Sequence, residues 1–176
     1  MPGRVASRSR TTTGAAAPER QLRSFIAKFA PADQRLFRAA RAAVRRRLPT
    51  ATELVYDNYN FLVIGYSPTE RPSDGILSVV ARANRVAICL FHGARLPDPG
   101  GLLMGAGKQV RFLTLESAAV LGRPDVGALL QAAIERSKKP FPASGRGRLV
   151  IRAVSAKQRP RRRPVPKGRL AKKTAR

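Results

Sequence analysis

The sequence predicts an α+β fold with two N-terminal helices, about five mostly antiparallel strands in one sheet, and a C-terminal helix. A further segment, 148–154, has the composition of an extra edge strand. Three observations carry this. Apolar residues recur at helical spacing up to Pro49. Short runs rich in β-branched and aromatic residues then take over, and helical spacing returns after Pro124.

Leu22, Phe25, Ile26 and Phe29 stand at i, i+3, i+4 and i+7, so they share one helix face, and order is expected to begin near Pro18. Pro31 suits a first helical position, and Asp33 in the first turn faces the positive end of the helix dipole. Leu36, Phe37, Ala40, Val44 and Leu48 then form an apolar stripe that Pro49 ends. The opposite face carries Arg35, Arg38, Arg41, Arg45 and Arg46, with Arg47 at its edge. It reads either as a solvated face, its arginines near the C-terminal dipole, or as a ridge facing phosphates.

Strands are expected at 53–57, 59–66, 76–82, 86–91 and 109–115. Two prolines and several turn formers make 66–75 a loop, and Ala83-Asn84 suits a tight hairpin turn because Asn tolerates positive φ. These short connections favour an antiparallel meander. Residues 92–108, with five glycines and two prolines, read as a long loop. Pro124 and Asp125 restart a helix whose apolar face is Val126, Leu129, Leu130, Ala133 and Ile134, ending near Pro140.

A chain of 176 residues with net charge +25 is long enough for one ordinary domain plus appendages. Residues 1–17 hold three Lys/Arg and no acids, 141–176 hold 13 and no acids, and all ten acids lie between. The division that follows is a disordered basic arm at 1–17, an α+β domain at 18–140, and a mostly disordered basic tail at 141–176. Lys157, Arg159, Arg161, Arg162, Arg163, Lys167, Arg169, Lys172 and Lys173 of that tail are expected to contact nucleic acid or another polyanion with weak specificity, because each phosphate contact releases counterions. The lone Cys89 excludes a disulfide framework. No apolar stretch approaches the roughly 18–20 residues that cross a bilayer, and no secretory h-region is present. A cytoplasmic protein without membrane contact is expected.

The middle of the chain resembles a known family. Glu53-Leu-Val-Tyr-Asp-Asn-Tyr-Asn60, Ala87-Ile-Cys-Leu-Phe-His-Gly-Ala-Arg-Leu-Pro-Asp-Pro99 and Gly101-Leu-Leu-Met-Gly-Ala-Gly-Lys-Gln-Val-Arg111 are similar, in that order, to segments of the bacterial YdhG-like family over roughly residues 20–136. Ser155-Ala-Lys-Gln-Arg-Pro-Arg-Arg-Arg163 looks like an ending found in one branch of it. The resemblance implies a small α+β domain with an antiparallel sheet. It also carries an implication of iron, since some relatives are described as frataxin-like iron chaperones. Hard cations favour carboxylate oxygens, whereas this domain has an excess of Arg and Lys.

No catalytic constellation emerges, and a non-enzymatic binding protein without a cofactor is expected. Gly101, Gly105 and Gly107-Lys108 invite a phosphate-loop reading. However, Leu102 stands where a glycine is required, Gln109 replaces the magnesium-holding hydroxyl, and a strand follows where a helix should. Cys89 and His92 stand three apart, with no further Cys or His to complete a metal site. Tyr56, Asp57, Tyr59 and Asn60 read as a polar-aromatic hairpin. Alternatively, if the glycine loop folds over them, they join His92, Lys108 and Arg111 around a small polar ligand, with Lys108 and Arg111 favouring an anion. The phenylalanines, Phe61 among them, are expected mostly in the core and not on a stacking platform.

Overall fold

A computed structural model describes residues 13–162. The first helix, α1 (Thr13–Ala27), buries Leu22, Phe25 and Ile26. It starts five residues before Pro18, so residues 13–17, expected in a disordered arm, are helical. Alanine is the strongest helix former, which suits Ala16 and Ala17, while Pro18 lies inside the helix, where its missing N–H costs one backbone hydrogen bond. Ala30 adopts extended backbone ahead of Pro31, which sets α2 (Pro31–Arg47) off from α1. Phe37, Ala40, Ala43 and Val44 form the buried stripe of α2.

The sheet has six strands in the order β5-β4-β3-β2-β1-β6. Strands β1 (Thr52–Asp57), β2 (Leu62–Ser67), β3 (Leu77–Arg82), β4 (Arg85–Leu90) and β5 (Arg111–Leu115) form the expected antiparallel meander. Ala83-Asn84 is the tight turn between β3 and β4, with Asn84 at φ 57° and Arg82 opposite Arg85. Tyr59 and Asn60, expected at the start of β2, instead lie in the β1–β2 turn, which the Asn58 N–H closes onto the Phe61 carbonyl at 2.8 Å.

The three helices of the described residues lie on one face of the sheet. Val55, Ile64, Tyr66, Val79, Ile88 and Leu113 point into the core beneath them. Alternate residues on the other face are small at its centre (Gly65, Ser78, Ala87, Cys89). After β5 a 3-10 turn (Ala118–Gly122) and α3 (Pro124–Glu135) lead back to the opposite edge, where β6 (Leu149–Val154) pairs in parallel with β1. Gly147 permits this approach. Its N–H reaches the Pro49 carbonyl at 2.9 Å, and a Cβ there would fall 2.0 Å from the Ala51 carbonyl oxygen.

The expectation of a mostly disordered tail from residue 141 is therefore corrected for residues 141–162. Leu149 and Ile151 complete the core, and the chain beyond β6 folds back over the ends of α1 and β1. Sparse hydrophobicity hid this, because the segment is held largely by polar contacts. No described helix is long and apolar enough to cross a membrane.

Candidate polyanion interface

Strand β1 places two acids, Glu53 and Asp57, on the core face beneath the helices, where burying a carboxylate is costly unless it is paired and hydrogen-bonded. Glu53 is held by Arg41 at 2.6 Å and Arg45 at 3.2 Å, and Arg41 also forks onto Glu19 at 2.7 and 2.9 Å. The arginine face of α2 is thus, at these two positions, neither a solvated face nor a phosphate ridge. The hydrogen bonds from Arg41 hold the Glu19 carboxyl below its ordinary range, against the effect of burial. Burial works against the charge on Arg41 as well, yet its bonds to Glu53 and Glu19 keep its pKa above the ordinary value. Tyr66, across from Glu53, has a buried hydroxyl that meets hydrogen-bond geometry with none of the described residues, and burial with that carboxylate nearby raises its pKa.

Asp57 is met by Lys28 at 2.6 Å and by Arg161 at 2.9 Å, with Asp57 and Arg161 both buried. Arg161 also donates to the Asn58 carbonyl and lies over the Phe29 ring at 5.6 Å. Gln158 bridges Lys28 and the Asp57 carbonyl, and Arg162 donates to the carbonyls of Phe29 and Ala27 at the end of α1. Arg161 and Arg162, expected as exposed polyanion contacts, are here structural. Lys157 and Arg159 remain exposed. Arg163, Lys167, Arg169, Lys172 and Lys173 lie outside the described residues.

The small-ligand pocket, the alternative to a structural hairpin in the sequence, does not assemble. Tyr56, Asp57, Tyr59 and Asn60 lie at the end of the sheet where β1 finishes, whereas His92, Lys108 and Arg111 lie at the opposite end, where β4 finishes and β5 begins. Strands β1 and β5 are also four places apart in the sheet, about 19 Å at ~4.8 Å per strand. The Arg111 guanidinium turns back onto the Val110 and Gly107 carbonyls. Gly107-Lys108 leads into a strand, as expected. Cys89 is buried on the helix-free face, where burial pushes its thiol pKa up, and His92 follows the end of the strand.

The iron implied by the resemblance finds no donor set. The described residues hold no group of three or more His, Cys, Asp or Glu fit for a metal ion. Glu19, Glu53, Asp57, Glu70, Asp74 and Asp125 are already ion-paired. Asp98 accepts the amides of Leu102 and Leu103 instead.

An open cleft of about 450 Å³ does form at the sheet end shared by the β1–β2 and β3–β4 turns. It is lined by Asn60, Phe61, Arg82, Arg85, Arg159 and Pro160. The three arginines are exposed, and none is ion-paired among the described residues. The hairpin register fixes Arg82 opposite Arg85, a like-charge pairing that costs stability. The chain returning from β6 supplies Arg159, whose N–H bonds the Tyr59 carbonyl at 2.9 Å while its guanidinium lies over the Tyr59 ring at 5.6 Å. Phe61, expected in the core, is 38% exposed beside them, and Tyr59 is 48% exposed. Two arginines flanking a two-residue turn are a readable signal for this site. The return of Arg159 is not.

A larger cleft of about 630 Å³ lies on the helix side of the same turn. Asp33 and Glu116 line it with Arg35 and Arg85, and Asp33 already accepts the Asn84 N–H, so its charge is mixed.

The fold and this cleft together define a small α+β protein with a basic, partly aromatic rim. Compared with known proteins, the chain matches no family model, no curated protein and no solved structure.

Proposed function

We propose that this is a non-enzymatic, cytoplasmic binding protein of the YdhG-like family that holds nucleic acid or another polyanion at the arginine rim and along the basic chain beyond it. The observation that carries this reading is the unpaired trio Arg82, Arg85 and Arg159 in one cleft, two of them opposed across a hairpin at a cost to stability. A phosphate bound between them offsets that repulsion and releases counterions. Residues 163–176 add six Lys/Arg and no acid. They continue from Arg162, which is tied to the carbonyls of Phe29 and Ala27.

The test compares the full chain with one ending at Arg162, by titrating a labelled duplex and a labelled single strand at several salt concentrations. A cut at residue 156 would remove the structural Arg161 and Arg162 and confound weaker binding with unfolding. The reading predicts binding that weakens with salt. In the shorter chain the log–log slope should be shallower by about 0.7–0.9 for each phosphate that the tail no longer neutralises. Binding that ignores salt, or is absent, refutes it.

A further inference from the structure

Resting on the polyanion reading, we propose that the cleft at Phe61 is a nucleotide-sized subsite for single-stranded nucleic acid, gripping one phosphate and stacking one base. Three guanidinium groups suffice for an anion, and none requires an aromatic neighbour. Here, however, Phe61 stands in the wall of the same cleft with 38% of its surface open, outside the hydrophobic core. The exposed part of this side chain contributes little to the core and is open to the cleft, where a base would meet it.

Tyr59 stands 48% exposed two residues away in sequence, with the Arg159 guanidinium over its ring, so a second flat surface carries its own cation. Asn60 lies between the two aromatics in sequence and also lines the cleft, where its amide offers a donor and an acceptor for a base edge. The cleft volume of about 450 Å³ falls within the size range of ordinary small-molecule sites. A paired base is stacked within its helix and does not present its face, whereas a single strand presents base and phosphate together. Duplex binding would use Arg82 and Arg85 but leave Phe61 idle.

The test uses the full chain, with fluorescence anisotropy at fixed salt on four probes. These are a short oligothymidylate, an abasic strand of the same length, a duplex, and inorganic polyphosphate. The proposal predicts tighter binding of oligothymidylate than of the abasic strand. It further predicts that Phe61→Ala weakens oligothymidylate about fivefold or more while leaving the abasic strand and polyphosphate unchanged, and that Phe61→Trp restores the affinity. Circular dichroism of each variant establishes that it is folded. Equal binding of oligothymidylate and abasic strand, or a Phe61→Ala variant indistinguishable from the parent, overturns the single-strand subsite and leaves the polyanion reading standing. Failure of the parent to bind any probe in a salt-dependent way overturns both.

Discussion

Arg161 and Asp57 stand 104 residues apart in the chain and meet in a 2.9 Å ion pair, both withdrawn from solvent. The pair fastens the end of the described chain to the first strand. It also divides the basic C-terminal segment into a structural part up to Arg162 and the residues beyond. Removing one partner of a buried pair is costly because the other is left charged and unsolvated. Arg161→Ala is therefore expected to lower stability by about 3 kcal/mol, the low end of the usual range because Lys28 still holds Asp57. In a thermal melt this corresponds to roughly 6–12 °C. A chain ending at residue 156 should be destabilised at least as much, and one ending at Arg162 should melt like the parent. An Arg161→Ala variant as stable as the parent would show that the pair does not hold the segment.

Gly147 and Gly107 make a matched pair of substitutions. A Cβ at Gly147 would meet the Ala51 carbonyl oxygen at 2.0 Å, so Gly147→Ala must push β6 away from β1. A Cβ at Gly107 would meet nothing within 4 Å. Denaturant unfolding should show Gly147→Ala destabilised by about 2 kcal/mol or more, and Gly107→Ala within about 0.5 kcal/mol of the parent. The second result also bears on the glycine loop, which serves as a connection and needs no close backbone approach at that residue.

Acid should destabilise the protein in part through Glu19. Its carboxyl is held below the ordinary value of 4.5, so the folded state releases this proton more readily than the unfolded chain does. The stabilisation is complete above about pH 4.5 and is lost as pH falls through the lower folded value. Asp74 and Asp125, also lowered by their Lys139 and Arg123 partners, add to the same slope. Glu19→Gln should flatten the decline of Tm below pH 4.5. An unchanged slope would contradict the Arg41 fork as its source.

Cys89 should resist alkylation. It is 7% exposed, and burial keeps its thiol protonated above the ordinary range. Labelling by iodoacetamide near neutral pH is expected to be far slower in the native protein than in denaturant. Equal rates would mean that the helix-free face of the sheet opens.

The elements legible in the sequence are those built on local rules. Pro31 and Asp33 mark the start of α2, Ala83-Asn84 gives the hairpin turn, and Leu22, Phe25 and Ile26 mark the buried side of α1. What stays hidden depends on distant partners. Nothing local to Arg161 announces that Asp57 lies within reach, and nothing local to Arg41 announces Glu53 and Glu19. The ligand pocket fails for the same reason. It requires Tyr56 and His92 to be close, and the register places them at opposite ends of the sheet. Phe61 reads as core because its neighbours Leu62 and Ile64 are, whereas the turn ends at Phe61 and leaves its ring outside.

Arg82 and Arg85 bear most directly on the rim as a binding surface. In a chain ending at Arg162, substitution of both by alanine should leave stability unchanged or raise it by about 0.2–1 kcal/mol, since like charges no longer face each other across the hairpin. A salt titration of that variant with a single-stranded oligonucleotide should show weaker binding, its slope shallower by about 0.7 for each phosphate left without an arginine. A folded variant that is no less stable, yet binds less tightly and with the shallower slope, is expected if the rim grips phosphate. Affinity and slope equal to those of the parent would mean that it does not.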